Sequence, residues 1–205
     1  MTTRAKEVAQ ALLEINAVKL EPTQLFTWAS GIKSPIYTDN RQTIGHPAVR
    51  RLIATALVEL VEEQYLKADI IGGVATAGIP HAAWVADEMD KPMIYVRSKP
   101  KDHGAGKQIE GADVVGRKVV LIDDLISTGG SVLGAVEAVR QAGGEVLGVL
   151  SIFSYELVAA TTNFAAAKVM FKSVTNYSTL IELAKDEGRI SSEELQILRD
   201  WRDEQ

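Results

Sequence analysis

The chain has 205 residues, 46% hydrophobic and 24% charged, and its 22 basic and 27 acidic side chains leave a net charge of −5. That length suits one sizeable core, and the acidic balance argues against a general nucleic-acid or membrane-surface binder. There is no cysteine, which excludes disulfides, thiolate metal sites and cysteine nucleophiles.

The opening segment "MTTRAKEVAQALLEIN" carries a charge every few residues and reads as an amphipathic helix over Thr3–Asn16. It has no apolar signal core, and no run in the chain approaches the roughly 18 apolar residues of a spanning helix. A cytoplasmic protein with no membrane partner is expected. "FTWASGIKSPIYTDNR" is rich in turn formers and aromatics and predicts two short extended pieces around a turn. In "HPAVRRLIATALVELVEEQYL" the residues Val49, Leu52, Ile53, Ala56, Leu57, Leu60 and Val61 follow the helical i, i+3, i+4 rule.

From there strands and helices alternate. "ADIIGG" predicts a buried strand, followed by a helix over Ile79–Met89. "PMIYVR" and "KVVLIDD" predict the next two strands, the latter ending in an acid pair and leading to a helix over Gly130–Ala142. "GEVLGVLSIFS" predicts a fourth strand, with a helix near Tyr155–Ala165; "KVMFKSV" predicts a fifth, and two helices close the chain. This alternation implies βαβ units and a mainly parallel twisted α/β sheet with helices on both faces. One compact domain is expected, with residues 1–45 forming an N-terminal helix and hood and residues 46–205 the α/β core.

In such sheets ligands bind beyond the carboxyl ends of the strands. After the first core strand comes "VATAGIP", where Ala75, Thr76 and Ala77 present amides with little side chain in the way. Alone it is a plain βα turn; beside a helix N-terminus it also suits an anion. After "IDD" comes "LISTGGS", a small-residue loop opening onto a helix N-terminus, with hydroxyls from Ser127, Thr128 and Ser131. A phosphate monoester fits there. The lysine and spacing of a nucleotide P-loop are missing. Asp123 and Asp124 repel one another, so vicinal sugar hydroxyls, or a hydrated Mg²⁺ nearby, would compensate them. The segment "RSKPKDHGAGKQIEGADVVGR" holds Arg97, Lys99, Lys101, His103 and Lys107. It predicts a long cationic loop able to close over a polyanion, a solvated hairpin being the plainer reading. His46 and His81 read as helix-entry residues, and Trp28, Trp84 and Trp201 as packing.

Together these segments resemble the type I phosphoribosyltransferases, whose signature for 5-phosphoribosyl-1-diphosphate (PRPP) is similar to "VVLIDDLISTGGS". The resemblance implies that Asp123 and Asp124 hold the ribose 2′- and 3′-hydroxyls. It implies that Ser127, Thr128, Gly129, Gly130 and Ser131 hold the 5′-phosphate, with Leu125 and Ile126 also in the PRPP site. Thr76 and Ala77 would lie in the diphosphate loop. "FTWASGIKSPIYTDNR" and "VRSKPKDHGAG" further resemble the orotate-using branch of that superfamily. This implies a hood over the base with Lys33, Ser34, Pro35 and Tyr37 near it. It also implies a catalytic loop carrying Arg97, Lys101 and His103, shared across a homodimer. Mg²⁺ would be carried mainly by diphosphate and ribose, near Asp123 and Asp124, without direct protein ligands.

Some basic residues found in members of that branch are absent, with Ala29, Ala77, Ser98 and "SYE" at Ser154–Glu156 in their places. Ser127, Lys33 and backbone amides are then the candidates for the orotate carboxylate, with Tyr37 beside the ring. The expected activity is transfer of the phosphoribosyl group from PRPP to orotate in pyrimidine biosynthesis. A phosphoribosyltransferase for another base, or a PRPP-sensing nucleic-acid-binding regulator of the same fold, are the alternatives.

Overall fold

The computed structural model describes residues 3–28, 31–99 and 108–205. The chain opens with α1 (Thr3–Glu14), which buries Val8, Ala9 and Leu12 on one face. Four short strands follow: β1 (Val18–Leu20), β2 (Phe26–Thr27), β3 (Lys33–Ser34) and β4 (Ile36–Thr38). β1 pairs antiparallel with β4, and β2 with β3, so the expected two extended pieces are part of two small ribbons. A 3₁₀ turn at Asn40–Gly45 leads to α2 (Pro47–Gln64), which has proline in its first turn, where the missing N–H is not needed.

The core then runs β5 (Ile70–Val74), α3 (Gly78–Glu88), β6 (Met93–Val96), β7 (Ile109–Gly111) and β8 (Lys118–Ile126). It continues α4 (Gly130–Gln141), β9 (Glu145–Ser154), α5 (Val158–Ala166), β10 (Phe171–Asn176), α6 (Tyr177–Asp186) and α7 (Ser192–Asp203). The main sheet has the order β10-β9-β8-β5-β6-β7. Every pairing is parallel except β6 with β7. Alternate residues of β8 serve opposite faces, as the two-residue period of a strand requires. Val120 and Ile122 join a core with α1, α2, α3, α6 and α7, while Val119 and Leu121 join a second core with α4 and α5. The α1 residues Val8, Ala9 and Leu12 share the first core with Ile53 and Leu57 of α2.

Two expectations change. The acid pair does not end its strand: β8 continues to Ile126, with Asp123 opposite Ser151, Leu125 opposite Phe153 and Ile126 opposite Ser154 of β9. The neighbouring strand is long enough to keep pairing, which no local signal in β8 reveals. The cationic loop is also shorter than expected, because β7 folds back on β6 and Arg97 N donates to Gln108 O at 2.9 Å. Three residues with no apolar alternation are too few to announce a strand; the free edge of β6 recruits them. Smaller shifts occur at α5, which begins at Val158 because Tyr155 and Leu157 are committed to the core.

Candidate active site

The strand order places a switch point at β5: the chain leaves it for β6 on one side and returns as β8 on the other. A crevice opens at such a point beyond the carboxyl ends of the strands. Thr76 and Ala77 follow β5 there, Arg97 follows β6, and Asp123 and Asp124 sit near the end of β8. The two loops meet closely. A Cβ on Gly78 would fall 2.3 Å from the carbonyl oxygen of Ile122, so only glycine lets the first turn of α3 press on β8 beside the acids. The peptide between Ala75 and Thr76 is cis.

The stretch Ser127–Gly129 turns sharply into α4. Gly129 has φ +82° and is the residue before the helix, with no side chain to cap the first-turn amides. Uncapped N–H groups at a helix N-terminus, with the helix dipole behind them, suit an anion. A side chain at Gly129 would also strike the Phe164 ring at 2.5 Å, so α5 packs directly under the loop. Asn163 of α5 donates to the carbonyl of Thr128 at 2.9 Å and holds its other end. Beside it lies a cavity of about 260 Å³ lined by Ala75, Arg97, Ser98, Gln108, Gly130 and Ser131, among others. It joins the end of β5, the end of β6 and the start of α4.

Asp123 is 8% exposed. Burial, then the charge of Asp124, pushes its carboxyl up to about 7. Burial also raises Asp124, opposed by hydrogen bonding with the Asp123 side chain and with its own backbone amide and by the nearby Arg41. The Asp124 amide also donates to Asp123 Oδ1 at 2.9 Å, which favours the ionised form of Asp123. Such a pair is costly to ionise alone and favourably placed to accept hydroxyl protons. Among the described residues no three His, Asp or Glu side chains group as a metal site. Two adjacent carboxylates fit an ion held through water and through a phosphate ligand, rather than one caged by protein.

The segment expected to form the hood meets this edge where Asn40 Nδ2 donates to the main-chain oxygen of Asp124 at 2.7 Å. Lys33 and Tyr37 are exposed; Lys33 Nζ donates to Thr27 Oγ1 at 2.6 Å, and the Tyr37 ring lies 5.7 Å from Phe26. Ser34 and Pro35 are instead buried, and the Ser34 hydroxyl donates to Ile36 O at 2.9 Å. Trp28 packs on Tyr155 at 4.6 Å and Trp201 edge-on at 5.8 Å, while Trp84 lies against His81. Arg97 lies 3.9 Å from Glu110. Lys101 and His103, with Lys107, fall outside the described residues. The sequence reading missed Asn40, Arg41 and Asn163. Asn40 and Arg41 end the hood segment "FTWASGIKSPIYTDNR", and that membership is the only cue to them; Asn163 has none, because only packing of α5 against the loop brings it there.

This fold and this edge define a phosphoribosyltransferase, and the family model for the phosphoribosyl transferase domain matches residues 41–180. The chain is 57% identical over 202 residues to an orotate phosphoribosyltransferase of Lactiplantibacillus plantarum, covering 98% of this chain and 95% of that one. It is similar to the crystal structure of orotate phosphoribosyltransferase from Aeropyrum pernix, with TM-score 0.74 and 27% identity over 90% of this chain and 99% of the other. The Mycobacterium tuberculosis H37Rv enzyme in complex with PRPP matches with TM-score 0.67 and 26% identity, over 86% of this chain and 98% of the other. The chain belongs to the orotate phosphoribosyltransferase family.

Proposed function

We propose that the chain transfers the 5-phosphoribosyl group of PRPP to orotate, giving orotidine 5′-phosphate and diphosphate. The observation that carries this is the convergence, at one sheet edge, of a buried acid pair and a small-residue turn opening onto a helix N-terminus. The amides of Ser127–Ser131 receive the 5′-phosphate. Asp123 and Asp124 accept the ribose hydroxyls and set the sugar's orientation, which lowers the entropic part of the barrier. Orotate lies beneath the hood, with Lys33, Tyr37 and Ser127 as its contacts.

A ring nitrogen of orotate forms a bond to C1 of the ribose as the bond from C1 to the diphosphate oxygen breaks. The electron pair leaves with diphosphate, and the nitrogen's proton is released. Charge grows on the leaving group, so Arg97, Lys101 and His103 act there more strongly in the transition state than in the ground state. Mg²⁺ travelling with the diphosphate supplies further positive charge when bound. Closure of the cationic loop excludes water as a competing nucleophile. The active form is a homodimer in which each loop serves the neighbouring subunit's site, and the enzyme works in the cytoplasm.

Loss of orotate absorbance tests this. Consumption should require PRPP and Mg²⁺, and Lys101→Ala should lower turnover by at least about tenfold. Consumption that proceeds without Mg²⁺ rejects the metal. Diphosphate release with adenine, hypoxanthine or uracil but not orotate rejects the base.

A further inference from the structure

Behind the acid pair lies a line of buried polar groups that the reaction above does not use. Asn40 and Thr43 come from the 3₁₀ turn and His81 from α3; they are 1%, 0% and 0% exposed. Asn40 Nδ2 donates to the main-chain oxygen of Asp124 at 2.7 Å. Thr43 Oγ1 donates to the main-chain oxygen of Asn40 at 2.6 Å and lies a longer 3.4 Å from His81 Nε2.

The direction of each bond follows from proton counting. The Thr43 hydroxyl has one hydrogen, and the Asn40 carbonyl can only accept it. What Thr43 offers His81 is therefore a lone pair, so Nε2 must carry the imidazole proton. Burial keeps the ring neutral, its pKa pushed down to about 4, and Nδ1 has no partner. The line thus runs one way, from the imidazole N–H through the hydroxyl to the main chain of Asn40, whose side-chain amide then holds Asp124.

The need for that amide lies in the sheet. β5 flanks β8 only as far as Gly73 opposite Ile122. Asp124 lies beyond that last pair, where no β5 residue is available to receive its carbonyl. A buried carbonyl requires a donor, and the Asn40 side chain supplies it from 84 positions away in sequence.

We propose that Asn40 is a positioning residue for the PRPP site: braced by Thr43 and neutral His81, it fixes the main chain of Asp124 and thereby the aim of that carboxylate at the ribose hydroxyls. This rests on the reading that Asp124 holds PRPP. It also gives His81 a role beyond helix entry, because α3 begins at the loop carrying Thr76 and Ala77. The line ties that loop to the acid pair, so the two sides of the sugar-phosphate site are held in one register.

The test is steady-state kinetics of Asn40→Ala, Thr43→Val, Thr43→Ser and Asp124→Asn, each checked for folding by thermal unfolding. Asn40→Ala should raise KM for PRPP about tenfold, the equivalent of one lost buried bond, with KM for orotate unchanged. Thr43→Val should move KM for PRPP the same way and Thr43→Ser should restore it. ¹⁵N chemical shifts should show His81 protonated at Nε2. A folded Asn40→Ala with unchanged KM for PRPP overturns the proposal, provided that Asp124→Asn raises it. If Asp124→Asn leaves it unchanged, the underlying reading of the acid pair fails instead. Equal increases in both KM values, or His81 protonated at Nδ1, also reject the positioning role. Should Asn40→Ala not fold, the Thr43→Val and Thr43→Ser pair decides.

Discussion

Asp123 shows how burial turns an ordinary side chain into a pH-sensitive one. Its carboxyl is pushed up to about 7 from an ordinary 3.8, chiefly by burial and then by the charge of Asp124. The folded protein therefore keeps a proton that the unfolded chain has lost. The stability that this contributes is full below about pH 4 and is lost as pH rises through about 7. If Asp123 accepts the ribose hydroxyls as proposed, binding has the opposite sign, because an ionised carboxylate is the stronger acceptor. KM for PRPP should fall as pH rises from about 6 to 8, and Asp123→Asn should flatten that profile. An unaltered slope in the variant would assign the titration to another group. The acid pair was legible in the sequence as two carboxylates before a small-residue loop. Its environment was not, because burial depends on α3 pressing on β8 at Gly78 and on β9 continuing alongside.

The C-terminal helix illustrates how an element acts at a distance. α7 starts with a capping box, Ser191 and Glu194 each bonding the other's backbone, and buries Leu195, Leu198 and Trp201. The Trp201 indole N–H donates to the carbonyl of Lys33 at 2.8 Å, so the last helix pins the hood strand. Trp201→Phe loses that bond and part of the buried ring volume but keeps one aromatic ring, and should cost about 2 kcal/mol in urea unfolding. Trp201→Ala also opens a cavity and should cost about 3–5 kcal/mol. A Trp201→Phe loss as large as that of Trp201→Ala would mean that the phenyl ring recovers none of the packing and that the indole as a whole holds the hood strand. The sequence marked Trp201 as a packing residue, and it is one. That its N–H serves Lys33 was invisible, since the two are 168 positions apart. Helix periodicity reports which face is buried, but never against what.

For the molecule as a whole, the proposed dimer would join assembly to chemistry at the cationic loop. Arg97 and Gln108 close its base, each bonding the other's main chain. If each loop serves a neighbouring subunit, two separately inactive variants should complement one another. Unfolding and refolding Lys101→Ala together with Asp124→Asn should restore about a quarter of wild-type activity, since half of the dimers are mixed and each has one intact site. No recovery, with mixed dimers present, would place each loop over its own subunit's site.

The alternation of strand and helix, the helical stripe of α2 and the two small-residue turns after β5 and β8 were decided by local chemistry: hydrophobic period, and glycine and small residues at turns. These signals are read along the chain, and so they survive in the sequence alone. The hairpin strand β7, the extension of β8 past its acids and the partners of Asn40, Asn163 and Trp201 were decided only by the tertiary structure. Each depends on a carbonyl, a strand edge or a ring supplied from far along the chain, and a distant partner leaves no period or motif in the segment that receives it.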